Sequence, residues 1–295
     1  MNMEMISVIT PTYNRKNNLE RLYQSLCSQS NKNFCWIVVD DGSEDGTYEY
    51  LNGLKDNAPF QMKVYSKENG GKHTALNFGI RKISSDLTII GDSDDLLLET
   101  AIDDIQKVYE KYRNDLKIGC FTFLRARSDG STFVSLESDE LIANYIQFRI
   151  KENRPGDMAE VFRTYILQEN PFPVFQGERF LSEDVCWIEI GKKFDSVFIN
   201  KAIYECEYLK GGLTDNDKPM KFRSPNGSML RGKQLMYRKC GLRNNVKGAI
   251  IYNCYKHATD NCLVFPESVY QRILVLITKP LGWYFFKKWG KSKKR

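Results

Sequence analysis

The stretch Thr88–Leu97, TIIGDSDDLL, decides the fold. It opens on β-branched residues that favour a strand. It then passes through a glycine into three carboxylates within four positions, Asp92, Asp94 and Asp95. Two ionised carboxylates about 4 Å apart repel by roughly 4 kcal/mol at an effective dielectric near 20, so something must offset them or they must point apart into water. Asp and Ser are ordinary turn residues, and a solvated strand-end turn is the simpler reading of these residues alone. The sharper reading is a divalent-cation site, because Mg²⁺ and Mn²⁺ want oxygen ligands.

Working outward, the first hundred residues alternate strand-like and helix-like patterns, which predicts an α/β fold on a mainly parallel, Rossmann-like sheet. MISVIT (5–10) reads as a buried strand closed by Pro11, and NNLERLYQSLCSQ (17–29) as an amphipathic helix capped by Asn17 or Asn18. FCWIVVDDGS (34–43) is a second buried strand, FQMKVYS (60–66) a third, and DLTIIGDSDD (86–95) a fourth. Helices are expected from about Thr74 to Ile83 and over 98–112. Four polar turns, at Pro11–Asn14, Asp40–Ser43, Asn69–Lys72 and Asp92–Asp95, each follow a strand's carboxyl end. Ligands of open α/β sheets bind in the crevice outside those ends, which moves the triple-Asp turn towards a ligand site.

Beyond Gly119 the pattern is mixed. Residues 118–133 read as a strand and hairpin turn, and 137–180 carry few periodic runs. Glu183 and Asp184 stand just ahead of a short apolar helix, and 196–216 read as one or two strands entering a Gly-rich turn.

Composition bounds the rest. The 295 residues, 42% hydrophobic and 13% aromatic, suffice for a folded enzyme of one large domain or two smaller ones. The start, MNMEMISVIT, lacks the features of a secretory signal, so a cytoplasmic protein is expected. Eight cysteines without C-x-x-C spacing argue against a thiolate zinc site, and two histidines, His73 and His257, against a multi-histidine centre. The net charge of +6 conceals a polarity: residues 220–295 hold 17 Lys and Arg against Asp260 and Glu267, a balance of +15. The preceding residues hold the remaining 26 Lys and Arg and 35 Asp and Glu, a balance of −9.

TPTYNR, VVDDGSEDGT, NGGKHTALNFGI, GDSDD and, about 90 residues later, SEDVCW keep one order and spacing over residues 5 to roughly 216. Together they resemble the inverting, nucleotide-sugar-dependent glycosyltransferases of family 2, whose fold is of the GT-A type. The resemblance implies a catalytic domain over 1–219, with a nucleotide-binding half at about 1–117 and an acceptor half at about 118–219. It implies that Asp41 accepts a hydrogen bond from uracil N3–H while Pro11, Thr12 and Tyr13 wall the base. Arg15 would meet phosphate or sit in solvent. Asn69 and Lys72 fall at nucleotide-contacting positions, Asp92 at the ribose or the metal, and Asp94 at a Mn²⁺ or Mg²⁺ ion bridging the diphosphate. Asp95 is a third member of that set or a helix cap. Asp184 would be the base that deprotonates the acceptor, and Glu183 would contact the acceptor or nearby sugar hydroxyls; without the upstream motifs the pair would read instead as an acidic helix N-terminus. Some relatives add a histidine metal ligand after the base. YLKGGLTDN has none, which leaves Asp215, Asn216 or water to fill the place.

The resemblance does not reach the basic helical region 220–295. ILVLITKPLGWYFF, within 269–295, is too short and too broken by Lys279 and Pro280 to span a bilayer. It fits a helix lying in the membrane interface, with Trp283, Tyr284, Phe285, Phe286 and Trp289 at headgroup depth. Lys287, Lys288, Lys291, Lys293, Lys294 and Arg295 would each add roughly 1 kcal/mol of attraction to anionic lipid. A soluble bundle packed on the catalytic domain is the alternative, and no nucleic-acid-binding module accompanies the charge.

The function expected is a metal-dependent hexosyl- or N-acetylhexosaminyltransferase. It would carry a sugar from a UDP-sugar to a glycan or lipid-linked acceptor in surface polysaccharide synthesis, at the inner membrane face. The rivals are a nucleotidyltransferase, whose Gly-rich signature after the first strand is missing from TPTYNRKNN, and a catalytically silent binding module.

Overall fold

The computed structural model of the protein describes residues 6–154, 156–206 and 217–290. They divide into two compact units. The first comprises Met1–Asn144, Arg154–Pro171 and Lys193–Tyr208, and the second Tyr145–Asn153, Phe172–Lys192 and Leu209–Arg295. The division differs from a single boundary at 219, because 145–153 and 172–192 group with the C-terminal helices.

The first unit is built on a nine-stranded sheet. Its parallel part comprises β1 (Ile6–Thr12), β2 (Phe34–Asp40), β3 (Gln61–Ser66) and β4 (Leu87–Ile90), in the spatial order β3-β2-β1-β4. Every residue of β1, β2 and β4 is buried, so these strands read as continuous apolar runs rather than alternating ones. The sheet continues through β5 (Leu96–Leu97), β6 (Ile118–Ala126), β7 (Glu140–Ala143), β8 (Met158–Arg163) and β9 (Asp195–Glu205). In this part β6 and β9 pair in parallel while β8, β5 and β7 pair antiparallel with their neighbours, so the sheet is parallel throughout its first half and mixed beyond it.

Helices α1 (Lys16–Cys27), α2 (Thr47–Lys55), α3 (Lys72–Ile80) and α4 (Ala101–Tyr112) flank the parallel strands, with α5 (Thr164–Glu169) following β8. Leu19, Leu22, Tyr23 and Leu26 of α1 bury the face that the 3–4 residue spacing marks. Trp36 lies at its centre, fully buried, its indole N–H donating to Thr10 Oγ1 at 2.9 Å. Burial of each such large apolar side chain contributes about 1.5–3 kcal/mol.

Several boundaries differ from the sequence reading. The N-cap of α1 is Arg15, without a side-chain cap bond, rather than Asn17 or Asn18. The preceding Asn14 takes a left-handed conformation (φ 51°), and its side chain accepts from Glu44 N–H at 2.9 Å, which ties the chain to the turn after β2 instead. Helix α3 starts at Lys72, two residues before the expected Thr74, and ends at Ile80. Helix α2 has no counterpart in the sequence reading.

The second unit is helical. A π-helical turn (Ile146–Lys151) and α6 (Asp184–Gly191) accompany α7 (Asp217–Arg223), α8 (Pro225–Leu235), α9 (Leu242–Lys256) and α10 (Val269–Gly290). Helices α8 and α9 cross closely because glycines face each other: a Cβ on Gly248 would lie 2.5 Å from the Gly232 carbonyl oxygen, and one on Gly232 2.7 Å from that of Gly248. Met229, Met236, Tyr252 and Leu274 form the core between α8, α9 and α10. All eight cysteines are free, five of them buried as small apolar side chains. No helix among the described residues is long and apolar enough to cross a membrane.

Candidate active site

The carboxyl ends of β1, β2 and β4 lie side by side, with Thr12 opposite Asp40 and Ile9 opposite Ile90, so the loops leaving them share one rim. At the tip of β2 the Asp41 carboxylate is buried. It accepts from Lys67 Nζ at 2.7 Å, from Gly71 N–H at 2.7 Å and from Gly70 N–H at 3.1 Å. Asn69 closes the bracket by donating Nδ2–H to the Asp41 carbonyl at 2.9 Å. This packing is why Gly42 must be glycine: its φ is +79°, and a Cβ there would stand 3.0 Å from the Asn69 nitrogen. Asp40 is buried beside it, accepting from Ser43 N–H at 3.1 Å and from the Ser43 hydroxyl.

Among the described residues, Thr12 Oγ1 at this rim and His73 Nδ1 in the first turn of α3 are buried with no hydrogen-bond partner. An orphaned buried polar group costs free energy unless a ligand or water meets it. Pro11 is buried beside Thr12, while Tyr13 is exposed, its ring offering a flat face. His73 packs in the interior; burial pushes its imidazole below the ordinary value of 6.5, Asp41 raises it and Lys67 adds to the lowering.

The triple-Asp turn places its carboxylates in three environments. Asp92 pairs with Lys72 Nζ at 2.5 Å. Burial acts to raise its carboxyl, yet the charges of Lys72, Arg125 and Arg15 outweigh it and hold the group below the usual carboxylate range. Asp95 is buried and bonds Arg125 Nη1 at 3.0 Å. Burial pushes it up to about 7, against the pull of Arg125 and with repulsion from Asp92 and Asp94. Asp95 therefore caps no helix; the N-cap of α4 is Thr100. Asp94 is half-buried and has no hydrogen bond or ion pair among the described residues.

Arg125 holds this arrangement from β6. Its Nε–H donates to the Met158 carbonyl at 2.9 Å, and its guanidinium lies 5.2 Å from the Tyr204 ring centre. The Tyr204 hydroxyl in turn donates to the Ile90 carbonyl at 3.1 Å, which fixes the end of β4 just before the acidic turn. One arginine inside the buried run CFTFLRA signals a buried anionic partner, though not which one. Lys67, next to the Gly-Gly turn, is the other rim residue that sequence reasoning passed over.

Asp184 and Glu183 belong to the second unit. Glu183 is the N-cap residue of α6 and Asp184 its first helical residue. The Asp184 carboxylate accepts from Ser182 Oγ at 2.6 Å and from Arg231 Nε, which lies 2.8 and 3.0 Å from its two oxygens. Arg231 stands 47 positions away on α8, and no local pattern marks it as a partner. Asp215 and Asn216, offered as substitute metal ligands, lie outside the described residues.

Among the described residues no group of three or more Asp, Glu, His or Cys side chains forms a metal cage. The donor set still fits a hard cation: Asp94 presents a carboxylate that no group among the described residues uses, and Asp92 lies two residues away. Mg²⁺ is commonly held by one or two carboxylates, completed by substrate phosphates and water.

Solved structures share this architecture. TarS residues 1–349 of S. aureus, in complex with UDP, superposes with a TM-score of 0.61 at 17% identity, covering 85% of this chain and 70% of that one. The mannosyltransferase PcManGT of Pyrobaculum calidifontis, in complex with GDP-Man and Mn²⁺, gives 0.58 at 16% identity, covering 97% and 84%. The fold is that of the GT-A type glycosyltransferases. A family model described as glycosyl transferase family 2 matches residues 7–168, more than half of the sequence, and the chain belongs to that family. An uncharacterized glycosyltransferase of Rickettsia bellii is 32% identical over 220 residues, or 74% of this chain. The match spans 30% of that relative's own length.

Proposed function

We propose that the chain is a metal-dependent, inverting glycosyltransferase that moves a hexosyl or N-acetylhexosaminyl group from a UDP-sugar to a glycan or lipid-linked acceptor. The observation that carries this reading is the unpartnered Asp94 carboxylate, set between the Lys72–Asp92 and Arg125–Asp95 pairs at the end of β4 in a family 2 chain. The UDP in TarS and the GDP-Man and Mn²⁺ in PcManGT support the donor class.

On the donor side, the Asp41 carboxylate has room for about one further donor, since a carboxylate offers about four lone-pair sites and three are taken. Uracil N3–H fills that place, with Thr12 Oγ1 answering another polar atom of the nucleoside and Tyr13 stacking on the base. Lys72 and Arg15 lie near Asp92 and suit the diphosphate. A cation held by Asp94, with Asp92, would supply Lewis-acid stabilisation of the diphosphate's charge.

On the acceptor side, Asp184 takes the proton of the attacking hydroxyl as its oxygen bonds to the anomeric carbon. The bond from that carbon to the phosphate oxygen breaks on the opposite face, and the nucleoside diphosphate leaves with the electron pair. Arg231 and Ser182 hold the carboxylate in one orientation, and Glu183 contacts sugar hydroxyls.

Melting the protein with UDP, GDP and dTDP compounds, with and without Mn²⁺, tests the reading. A ligand at 100 times its Kd stabilises by about 2.7 kcal/mol, so UDP compounds with Mn²⁺ should raise the melting temperature clearly above the guanine set. Equal shifts for all three remove the uracil assignment. Asp184→Asn should bind UDP as before while transfer falls by about 10²–10⁴-fold; unchanged transfer removes the base.

We also assign α10 to a membrane surface. Val269, Ile273, Leu276, Ile277, Leu281, Trp283 and Tyr284 are all exposed, Leu276 at 72%. At about 100° per residue they fall on one face about 160° wide. Arg272 and Lys279 border that face, and Lys287 and Lys288 follow it. Co-sedimentation with anionic vesicles should be lost in Leu276→Glu/Ile277→Glu; retention by the double variant removes the assignment.

A further inference from the structure

A cavity of about 290 Å³ lies wholly within the second unit. Four cationic side chains line it, Lys218 and Lys221 from α7, Arg231 from α8 and Lys247 from α9, and no carboxylate among the described residues does. Two carboxylates nearby are engaged elsewhere or by the lining itself. Asp184 is bonded to Arg231 at 2.8 Å, and Glu178 accepts the Asn226 and Gly227 N–H groups at the N-terminus of α8, each at 2.8 Å. Like charges converging from three helices repel, and an anion bound among them offsets that cost. Lys247 registers the crowding: burial pushes its ammonium below the usual lysine range, Arg231, Arg243 and Lys221 push the same way, and Asp184 opposes them.

We propose that this cavity is an acceptor subsite for a phosphate ester, carried by the acceptor next to the hydroxyl that Asp184 deprotonates. The proposal deepens the transferase reading above and rests on it in naming the ligand an acceptor. Three features select this chemistry. Cations arriving from separate helices match the several oxygens and the double charge of a phosphate better than the two coplanar oxygens of a carboxylate. Arg231 both lines the cavity and grips Asp184, so an anion bound there sits beside the base. The lining also includes Ile251, Tyr255 and Trp289, whose apolar surface suits the carbon skeleton that bears the phosphate. The volume lies at the lower end of the range of about 300–1,000 Å³ for ligand pockets, the size of a phosphorylated polyol or sugar unit rather than a long chain.

Calorimetric titration of the full chain with glycerol 3-phosphate, glycerol, glucuronate and farnesyl phosphate tests this, with UDP plus Mn²⁺ titrated in parallel. Glycerol 3-phosphate should bind saturably, glycerol and glucuronate at least tenfold more weakly. Lys247→Gln and Lys221→Gln, both at solvent-reachable positions, should each lose tenfold or more in affinity for glycerol 3-phosphate, and Lys247→Arg should retain it. Unchanged UDP binding in the same samples shows that the variants are folded. Equal affinity of wild type and both Gln variants, or glucuronate binding as tightly as glycerol 3-phosphate, overturns the proposal. Farnesyl phosphate binding tenfold tighter than glycerol 3-phosphate supports it and assigns the phosphate to a prenyl lipid, while equal binding supports it and assigns a soluble polyol phosphate. Loss of UDP binding alone, with the phosphate results as expected, fails the transferase reading and leaves an anion site.

Discussion

Two turns leave the same rim of the same sheet, both acidic and both following a buried parallel strand, yet the structure uses them differently. After β2, Asp41 is braced from within by Lys67, Gly70 and Gly71, so its charge organises the 67–72 loop. After β4, Asp92 and Asp95 are each tied to one cation, and Asp94 between them is tied to nothing among the described residues. An internally satisfied carboxylate contributes to stability, whereas an unsatisfied one beside others costs stability until a cation arrives. Residue type and position on the sheet therefore do not distinguish a braced carboxylate from an open one; the count of partners does.

The contrast is sharpest if it divides activity from stability. Asp94→Asn should lower transfer by about 10²–10³-fold, the loss typical when a group stabilising developing charge is removed. Its effect on urea unfolding should stay within about 0.5 kcal/mol, because Asp94 bonds no other side chain or backbone group among the described residues. A large loss of stability in this variant would erase the difference between the turns.

Lys67→Met should act the opposite way. It leaves the buried Asp41 with only backbone donors. The expected cost is about 2–3 kcal/mol in urea unfolding, less than the roughly 3–5 kcal/mol for breaking a fully buried pair because Gly70 and Gly71 remain and Lys67 is 20% exposed. Recovery of stability in Lys67→Met/Asp41→Asn would show that the loss is an uncompensated charge; no change in the single variant would break the comparison.

The smallest effect concerns pH. Because His73 is lowered in the folded state, the unfolded chain binds the proton more readily below the ordinary value of 6.5. Its part in stability is intact above that value and is lost as pH falls towards the lowered one, by at most about 1.4 kcal/mol per pH unit. The stability difference between wild type and His73→Gln should thus tilt below pH 6.5 and stay flat above it. A flat difference throughout would mean that His73 titrates as it does in water.

Much of the first unit was legible from one-dimensional pattern. Buried parallel strands show as uninterrupted apolar runs and their polar exits mark the rim; the family resemblance then singled out Pro11, Thr12, Asp41, Asn69, Lys72, Asp92 and Asp94 on it. What escaped lies in long-range pairing. Arg125 meets Asp95 across 30 positions, Lys67 meets Asp41 across 26, and Arg231 meets Asp184 across 47. Helix α2 escaped because Gly46, in a left-handed conformation (φ +80°), starts it without a side-chain cap. The cap of α1 was misplaced for a related reason: Asn14 spends its side chain on the neighbouring turn.

The sequence by itself determined the α/β class, the family, the order of the strands and the acidic exits, because hydrophobic period and turn chemistry are local properties. Only the tertiary structure decided which carboxylate is braced, which is open and which cations gather around an empty volume. Those are questions of distance between residues far apart in the chain, and a charge acts through the few ångströms around it rather than through its neighbours in sequence.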